Sequence, residues 1–278
     1  MMAPPQDGSR EAIWLTLLEG RDPRLRRFRR FYKLLPSPPR CKFCNAPFHG
    51  PVARLLRVVH KEPWAKNPTF CRDCFGRLQT LYGGAEIELT LLFADVRGST
   101  GLGETLSPTE FGAILNRFYA VATERLIAED AVVDKFAGDE VMALFIPGFA
   151  GADHARRAIE AARGILADLE DVEGGGPALP VGIGIHTGRA FVGAVGAEGS
   201  VTDFTALGDP VNSAARLSSE AGGGELLISE SAAAASGLDF GGAERRSLAL
   251  KGRAEPMTVV VERPGLRHRD TAGIHLRV

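Results

Sequence analysis

The 278-residue sequence lacks several features whose absence is informative. No apolar run approaches the length of a membrane span, so no spanning helix is expected. The opening MMAPPQDGSR has no apolar core of the kind a secretory signal carries, and a cytoplasmic location is the expectation. There is no internal repeat, which removes solenoids and propellers. Charge of one sign is not in excess: 33 Lys and Arg face 34 Asp and Glu, for a net charge of -1. Nothing global therefore calls for a nucleic-acid partner. Cysteine is scarce, with four in the chain, all inside residues 41–74. What remains, 45% apolar and 24% charged residues, is ordinary for a soluble chain of one or two domains.

Residues 1–40 form a first segment. Glu11–Leu18 reads as a short helix. Arg21–Arg40 is basic, with Leu25, Phe28, Tyr32 and Leu35 at helical spacing. A segment of this kind sits on anionic lipid, binds a partner, or packs its narrow stripe on the body and solvates its arginines. The narrowness of the stripe favours the last. Pro36, Pro38 and Pro39 end any helix there.

Residues 41–84 are read as a metal module and linker. Cys41-x-x-Cys44 and Cys71-x-x-Cys74 each place two thiolates on one tight turn, and two such pairs complete a tetrahedral site. Four thiolates suit Zn²⁺, with redox and iron–sulfur chemistry as the alternatives. Disulfides are disfavoured in a reducing compartment. The segment is short and punctuated by Pro51, Pro63 and Pro68, so it has little core to fold on by itself and a bound ion would supply folding energy. His49 and His60 are nearby donors, but four thiolates need no fifth, and both read as surface residues.

After Gly83-Gly84 the pattern becomes regular. Glu86–Val96 alternates, with Ile87, Leu89, Leu91 and Phe93 on one face and Glu88 and Thr90 on the other; the apolar face ends at Asp95. Val96–Gly103 reads as a glycine-rich loop. Ser107-Pro108-Thr109-Glu110 is a capping box with proline at the first helical position, and the helix carries Phe111, Leu115, Phe118, Ala122 and Leu126 down one side. Val132–Phe145 is a hairpin turning at Gly138-Asp139, unusual for crowding Asp134, Lys135, Asp139 and Glu140 into an apolar ribbon. Asp153–Val172 is a second helix, closed by Gly174–Gly176. Val181–Ile185 and Arg189–Val195 read as strands joined at Gly188. Asp209-Pro210 caps a helix to about Ser219; Glu225–Ile228, Ser229–Ser236, Leu248–Lys251 and Met257–Glu262 follow as strand, helix, strand, strand. The fold class expected is α+β, a ferredoxin-like βαββαβ core over 85–263 with added C-terminal β and α elements. Residues 264–278 read as a tail.

Neighbouring strands of such a core can bring Asp95 and Asp139 to one end of the sheet. Two hard oxygen ligands there suit Mg²⁺ or Mn²⁺, completed by water and phosphate oxygens. Gly98, Ser99, Gly101 and Gly103 let the following backbone turn N–H groups toward a phosphate. Each aspartate alone is equally a strand-end or turn residue. Asn212 and Arg216, one turn apart, share a helix face and offer a neutral donor and a planar cationic fork; alone they read as a solvated face.

Three segments, LFADVRGST (Leu92–Thr100), KFAGDEVMALF (Lys135–Phe145) and FTALGDPVNSAARL (Phe204–Leu217), together resemble the signatures of class III nucleotide cyclases, over Glu86 to about Glu262. The resemblance implies an adenylate cyclase that converts ATP to 3′,5′-cyclic AMP and pyrophosphate. It implies that Asp95 and Asp139 hold two Mg²⁺ or Mn²⁺ ions and that Lys135 and Thr205 read the adenine edge. It further implies that Asn212 orients the ribose, that Arg216 stabilises charge at the α-phosphorus, and that Gly98, Ser99 and Thr100 line the phosphates. Lys251 resembles the lysine that holds the terminal phosphates. The family's sites form at a head-to-tail homodimer interface, with the aspartates from one chain and Lys135, Thr205, Asn212 and Arg216 from the other. Thr205 departs from the aspartate many members carry, which leaves GTP open as substrate. AGDEV also resembles the GGDEF segment of diguanylate cyclases, but that pattern does not call for Lys135 or the Asn212/Arg216 helix. A degenerate, non-catalytic cyclase fold serving as a nucleotide-binding or dimerising platform is the non-enzyme alternative, and the complete residue set speaks against it.

Overall fold

The computed structural model describes residues 7–35, 39–64, 67–170, 179–197, 202–250 and 255–264. The N-terminal segment forms α1 (Asp7–Leu18) and α2 (Pro23–Lys33). Asp22 opens α2 by accepting from the Leu25 N–H at 2.7 Å. The cysteine segment follows with α3 (Gly50–Leu56), a ribbon of β1 (Pro63–Trp64) and β2 (Asn67–Cys71), and α4 (Arg72–Thr80). Then come β3 (Gly83–Val96), α5 (Ser99–Thr105), α6 (Pro108–Ala128), β4 (Val132–Ala137), β5 (Glu140–Phe145), α7 (Pro147–Ala150) and α8 (His154–Glu170). The chain continues through β6 (Val181–Gly196), β7 (Thr202–Leu207), α9 (Asp209–Glu220), β8 (Leu226–Ser229), α10 (Glu230–Ser236), β9 (Glu244–Leu248) and β10 (Met257–Glu262).

The main sheet has the order β4-β5-β3-β6-β8-β10-β9, with β7 also paired to β6. Its β3-α6-β4-β5-α8-β6 portion is the expected ferredoxin-like unit. The capping box forms as read: the Ser107 hydroxyl accepts from the Glu110 N–H, and the Glu110 carboxylate accepts from the Ser107 N–H. Side chains alternate across the sheet. Ile87, Leu89, Leu91 and Phe93 join Met142 and Leu144 on one face; Leu92, Ala94 and Val96 join Val141, Ala143 and Phe145 beneath α6 and α8 on the other.

Several expectations are corrected. The alternation of apolar and polar residues along β3 stops at Glu88: from Leu89 both faces are buried, because α8 lies over the second one. Thr90 is accommodated there by hydrogen bonds to Thr187 (2.7 Å) and His154 (2.9 Å). Gly188 is not a joint, since β6 runs unbroken through it. The Val96–Gly103 loop is partly helical, with Gly98 at φ 71 opening α5. Gly208, not Asp209, is the cap of α9, and Asp209 is its first residue. The strand expected at Leu248–Lys251 lies earlier, at β9, and β7 was not expected. Of the α2 stripe, Leu25 and Tyr32 are buried while Phe28 is 55% exposed. Lys251, Gly174–Gly176 and the tail from residue 265 fall outside the described residues.

The N-terminal segments and the sheet share one core. Trp14, Leu18, Tyr32, Phe43, Phe70 and Phe75 pack in the same cluster as Leu89, Leu91, Met142, Leu144 and Phe204. Trp14 stacks with Phe204 at 6.0 Å between ring centroids and donates its indole N–H to the Leu81 carbonyl at 2.8 Å. Lys42, between the first two cysteines, donates to the Ile127 carbonyl at 2.8 Å and pairs with Asp130, just before β4. The cysteine segment thus shares its core with the sheet face it covers.

Candidate active site and cysteine centre

Asp95 closes β3, opposite Glu140 of β5 and Gly182 of β6. The hairpin tip folds onto that strand end: Gly138 takes φ 64, as a two-residue hairpin turn requires, and the Val96 N–H donates to the Asp139 carbonyl at 3.1 Å. The hydroxyl of Tyr119 donates to the Gly138 carbonyl and ties the tip to α6. Asp95 and Asp139 therefore face each other, as expected. Burial, and then the neighbouring Asp139 carboxylate, push the Asp95 carboxyl up to about 6 against the pull of Arg97, whose guanidinium contacts its Oδ2. Glu140 is raised too, by burial first and then by Asp95 and Asp139. A crowded set of hard carboxylate oxygens at a strand end fits a divalent Mg²⁺ or Mn²⁺, which would relieve that repulsion. Ser99 donates its hydroxyl to Asp139, so it supports the carboxylate pair rather than standing free toward a phosphate. Gly98 and Thr100 are exposed beside it.

Lys135 and Thr205 meet through a residue the sequence reading noted only for its charge. The β4 register slips between Val133 and Lys135, a bulge that turns Asp134 inward. Its side chain is fully buried, and its Oδ2 accepts from the Thr205 hydroxyl at 2.7 Å and lies 3.7 Å from the Lys135 ammonium. Burial pushes the Asp134 carboxyl up to about 6, partly offset by the Thr205 hydrogen bond. In a flat sheet β4 and β7 would stand four strand spacings apart, roughly 19 Å. The 2.7 Å hydrogen bond means that β7 and the adjoining part of β6 curl back over the sheet face. The signal available in sequence was a carboxylate inside an apolar strand beside Lys135.

The third group rides on α9, which lies in a groove of glycines on β6. A Cβ at Gly182 would sit 2.7 Å from the Ala221 carbonyl oxygen, one at Gly188 2.9 Å from Pro210, and one at Gly184 would overlap the Ser218 backbone nitrogen. Glycine lets the helix backbone settle directly on the strand. Asn212 is exposed and Arg216 half-buried, and neither side chain bonds to a described residue.

Cys41, Cys44, Cys71 and Cys74 converge as the spacing implied. All four are buried and unbridged, with their sulfurs within 4.8 Å of one another. The Cys44 and Cys71 sulfurs are 3.8 Å apart, which matches the separation of about 3.8 Å that a tetrahedral ion with sulfur ligands at about 2.3 Å imposes. Hydrogen bonds with the other three push the Cys74 thiol up. Lys61, paired with Asp73 at 2.6 Å, is held above its ordinary value despite burial by Cys44 and Asp73. His49 and His60 are exposed and outside the cluster. The donor set fits a structural metal ion such as Zn²⁺.

Fold and site together define a class III nucleotide cyclase catalytic domain. Residues 84–263 match the adenylate and guanylate cyclase catalytic domain, and the chain belongs to that family. It is 36% identical over 149 residues to an adenylate cyclase of Anabaena cylindrica, covering 51% of this chain and 30% of that protein. Its fold matches the solved guanylyl cyclase Cya2 at a TM-score of 0.60 and 29% identity, covering 64% of this chain and 93% of that one. The adenylyl cyclase CyaB from P. aeruginosa follows at 0.55 and 29%, covering 64% and 95%. The chain thus spans under a third of the length of the Anabaena protein. No helix among the described residues is long and apolar enough to cross a membrane.

Proposed function

We propose that this protein is an adenylate cyclase, forming 3′,5′-cyclic AMP and pyrophosphate from ATP at a homodimer interface. The observation that carries the reading is the juxtaposition of Asp95 and Asp139 at the end of β3, in a chain of the cyclase family. In the reaction the ribose O3′ loses its proton and bonds to the α-phosphorus, while the bond from that phosphorus to the pyrophosphate oxygen breaks. Asp95 and Asp139 would hold two Mg²⁺ or Mn²⁺ ions, which when bound lower the pKa of the 3′-hydroxyl and neutralise phosphate charge. Lys135 donates to adenine N1 and Thr205 accepts from its 6-amino group. Asn212 orients the ribose. Arg216 sets its charge against that developing at the α-phosphorus. Asn212, exposed, and Arg216, half-buried, have no bond to a described residue, which supports their turning toward substrate bound against a second chain's aspartates. With little covalent chemistry for side chains to perform, positioning and charge stabilisation carry the rate. Zn²⁺ at Cys41, Cys44, Cys71 and Cys74 is assigned a structural role, because those sulfurs sit inside the shared core.

The test is direct. Purified protein is incubated with ATP or GTP and Mn²⁺, and the product is identified by mass. Cyclic AMP in excess over cyclic GTP-derived product supports the reading; linear hydrolysis products alone, or a dinucleotide, contradict it.

A further inference from the structure

Thr205 is a hydroxyl, and a hydroxyl both donates and accepts. By itself it cannot tell a 6-amino purine from a 6-oxo purine. Its surroundings remove that freedom. Asp134 is a carboxylate with no exposed side-chain surface, held 2.7 Å from the Thr205 oxygen, and an ionised carboxylate only accepts. The single hydroxyl proton of Thr205 is therefore committed to Asp134, and only lone pairs remain to face a ligand. The Lys135 ammonium, 3.7 Å from the same carboxylate oxygen and half exposed, stays a donor. We propose that Asp134 is a specificity-positioning residue: by taking the Thr205 proton it makes Thr205 an obligate acceptor, matched to the 6-amino group of adenine and repelled by the 6-oxo group of guanine.

A purely structural role accounts poorly for this carboxylate. Its Oδ1 is buried without a hydrogen-bond partner among the described residues, an arrangement that costs stability. The bulge that turns Asp134 inward interrupts the β4–β5 ladder at the residue preceding Lys135. The site thus carries a buried, half-satisfied charge whose one firm contact is the hydroxyl that reads the base. The inference rests on the adenylate cyclase reading above, and it needs only one chain, since Asp134, Lys135 and Thr205 belong to the same protomer.

The experiment measures the ATP/GTP ratio of kcat/KM in the full-length protein, together with equilibrium binding of 3′-deoxy-ATP and 3′-deoxy-GTP, which bind but lack the attacking hydroxyl. Wild type should favour the adenine nucleotide in both. Asp134→Ala frees the hydroxyl proton and should lower both ratios at least about tenfold, the scale on which an unmatched buried polar group is rejected. Thr205→Ser keeps the hydroxyl and should retain the ratio. Thr205→Val should lower it and should make a further Asp134→Ala change without effect on it, the mark of two residues acting as one unit. A folding defect in Asp134→Ala would reduce use of both nucleotides alike; in that case Asp134→Asn, which keeps the side-chain volume and whose amide can also donate to the Thr205 oxygen, carries the test and should likewise lower the ratio. A wild type that turns over ATP but whose ratio Asp134→Ala leaves unmoved overturns this assignment and leaves the cyclase reading standing. A wild type that prefers GTP overturns it as well. Absence of both turnover and binding for either purine overturns the cyclase reading itself and this assignment with it.

Discussion

The Val96 N–H donates to the carbonyl of Asp139 at 3.1 Å, and this bond fastens the tip of the β4–β5 hairpin to the end of β3. Two carboxylates 44 positions apart in sequence are thereby set side by side at the end of a central strand. The raised Asp95 carboxyl, at about 6 through burial and the adjacent Asp139, is the electrostatic mark of that placement.

Removing either carboxylate should remove the metal-dependent chemistry. Asp95→Asn or Asp139→Asn should lower kcat/KM with Mg²⁺ by at least about a hundredfold, roughly 3 kcal/mol of transition-state stabilisation. The thermal midpoint should fall little or rise, because repulsion is relieved. Near wild-type turnover in either variant would show that the pair does not hold the ions.

The buried Asp134 makes a stability prediction with a definite sign. Its folded pKa, about 6, lies above its ordinary value of 3.8, chiefly through burial. A raised acid binds its proton more tightly in the folded state. Its favourable contribution is therefore fully present below the unfolded pKa and is lost as pH rises through the folded one. Wild type should lose stability relative to Asp134→Ala between about pH 4 and pH 6, by on the order of 3 kcal/mol. Thermal melts of both proteins across that range, without added metal, give the difference; parallel pH profiles would refute it.

Because Phe70 and Phe75 share a core with Phe204, Leu89 and Leu91, loss of the cysteine centre should not stay local. Cys41→Ser with Cys44→Ser should abolish bound zinc in elemental analysis and lower the stability of the whole chain by on the order of 3–5 kcal/mol, the range for losing a large buried aromatic. A fragment of residues 85–263 should be destabilised likewise, since it exposes the face that Trp14 and Phe70 cover. Two independent melting transitions in the intact protein would count against a common core.

Complementation tests the dimer. Mixed Asp95→Asn and Arg216→Ala chains form heterodimers in which one site carries both lesions and the other none. The intact site regains the Arg216 charge, an effect of about 3 kcal/mol by comparison with removing an oxyanion donor. With free exchange, half of the dimers are mixed and each has one working site, so activity should return to about a quarter of wild type. No recovery, with exchange confirmed by mass, would mean that these residues do not act across an interface.

Much of this protein was legible along the chain. Periodicity located β3, α6, α8 and the β4–β5 hairpin, and the capping box and Gly138 turn are local chemistry that a few adjacent residues dictate. The CxxC pairs declared a common site because the motif itself carries the geometry. What tertiary structure alone decided depends on contacts between distant segments. Gly188 looked like a turn, and only the packing of Pro210 against it explains a glycine inside β6. The N-terminal module looked separable, and only its seat on the sheet face reveals the shared core. Asp134 and Thr205 lie 71 residues apart, on strands that are not neighbours in the sheet. Local propensity shapes each strand, but their meeting depends on how far the sheet curls, and that is set by the packing of every layer at once.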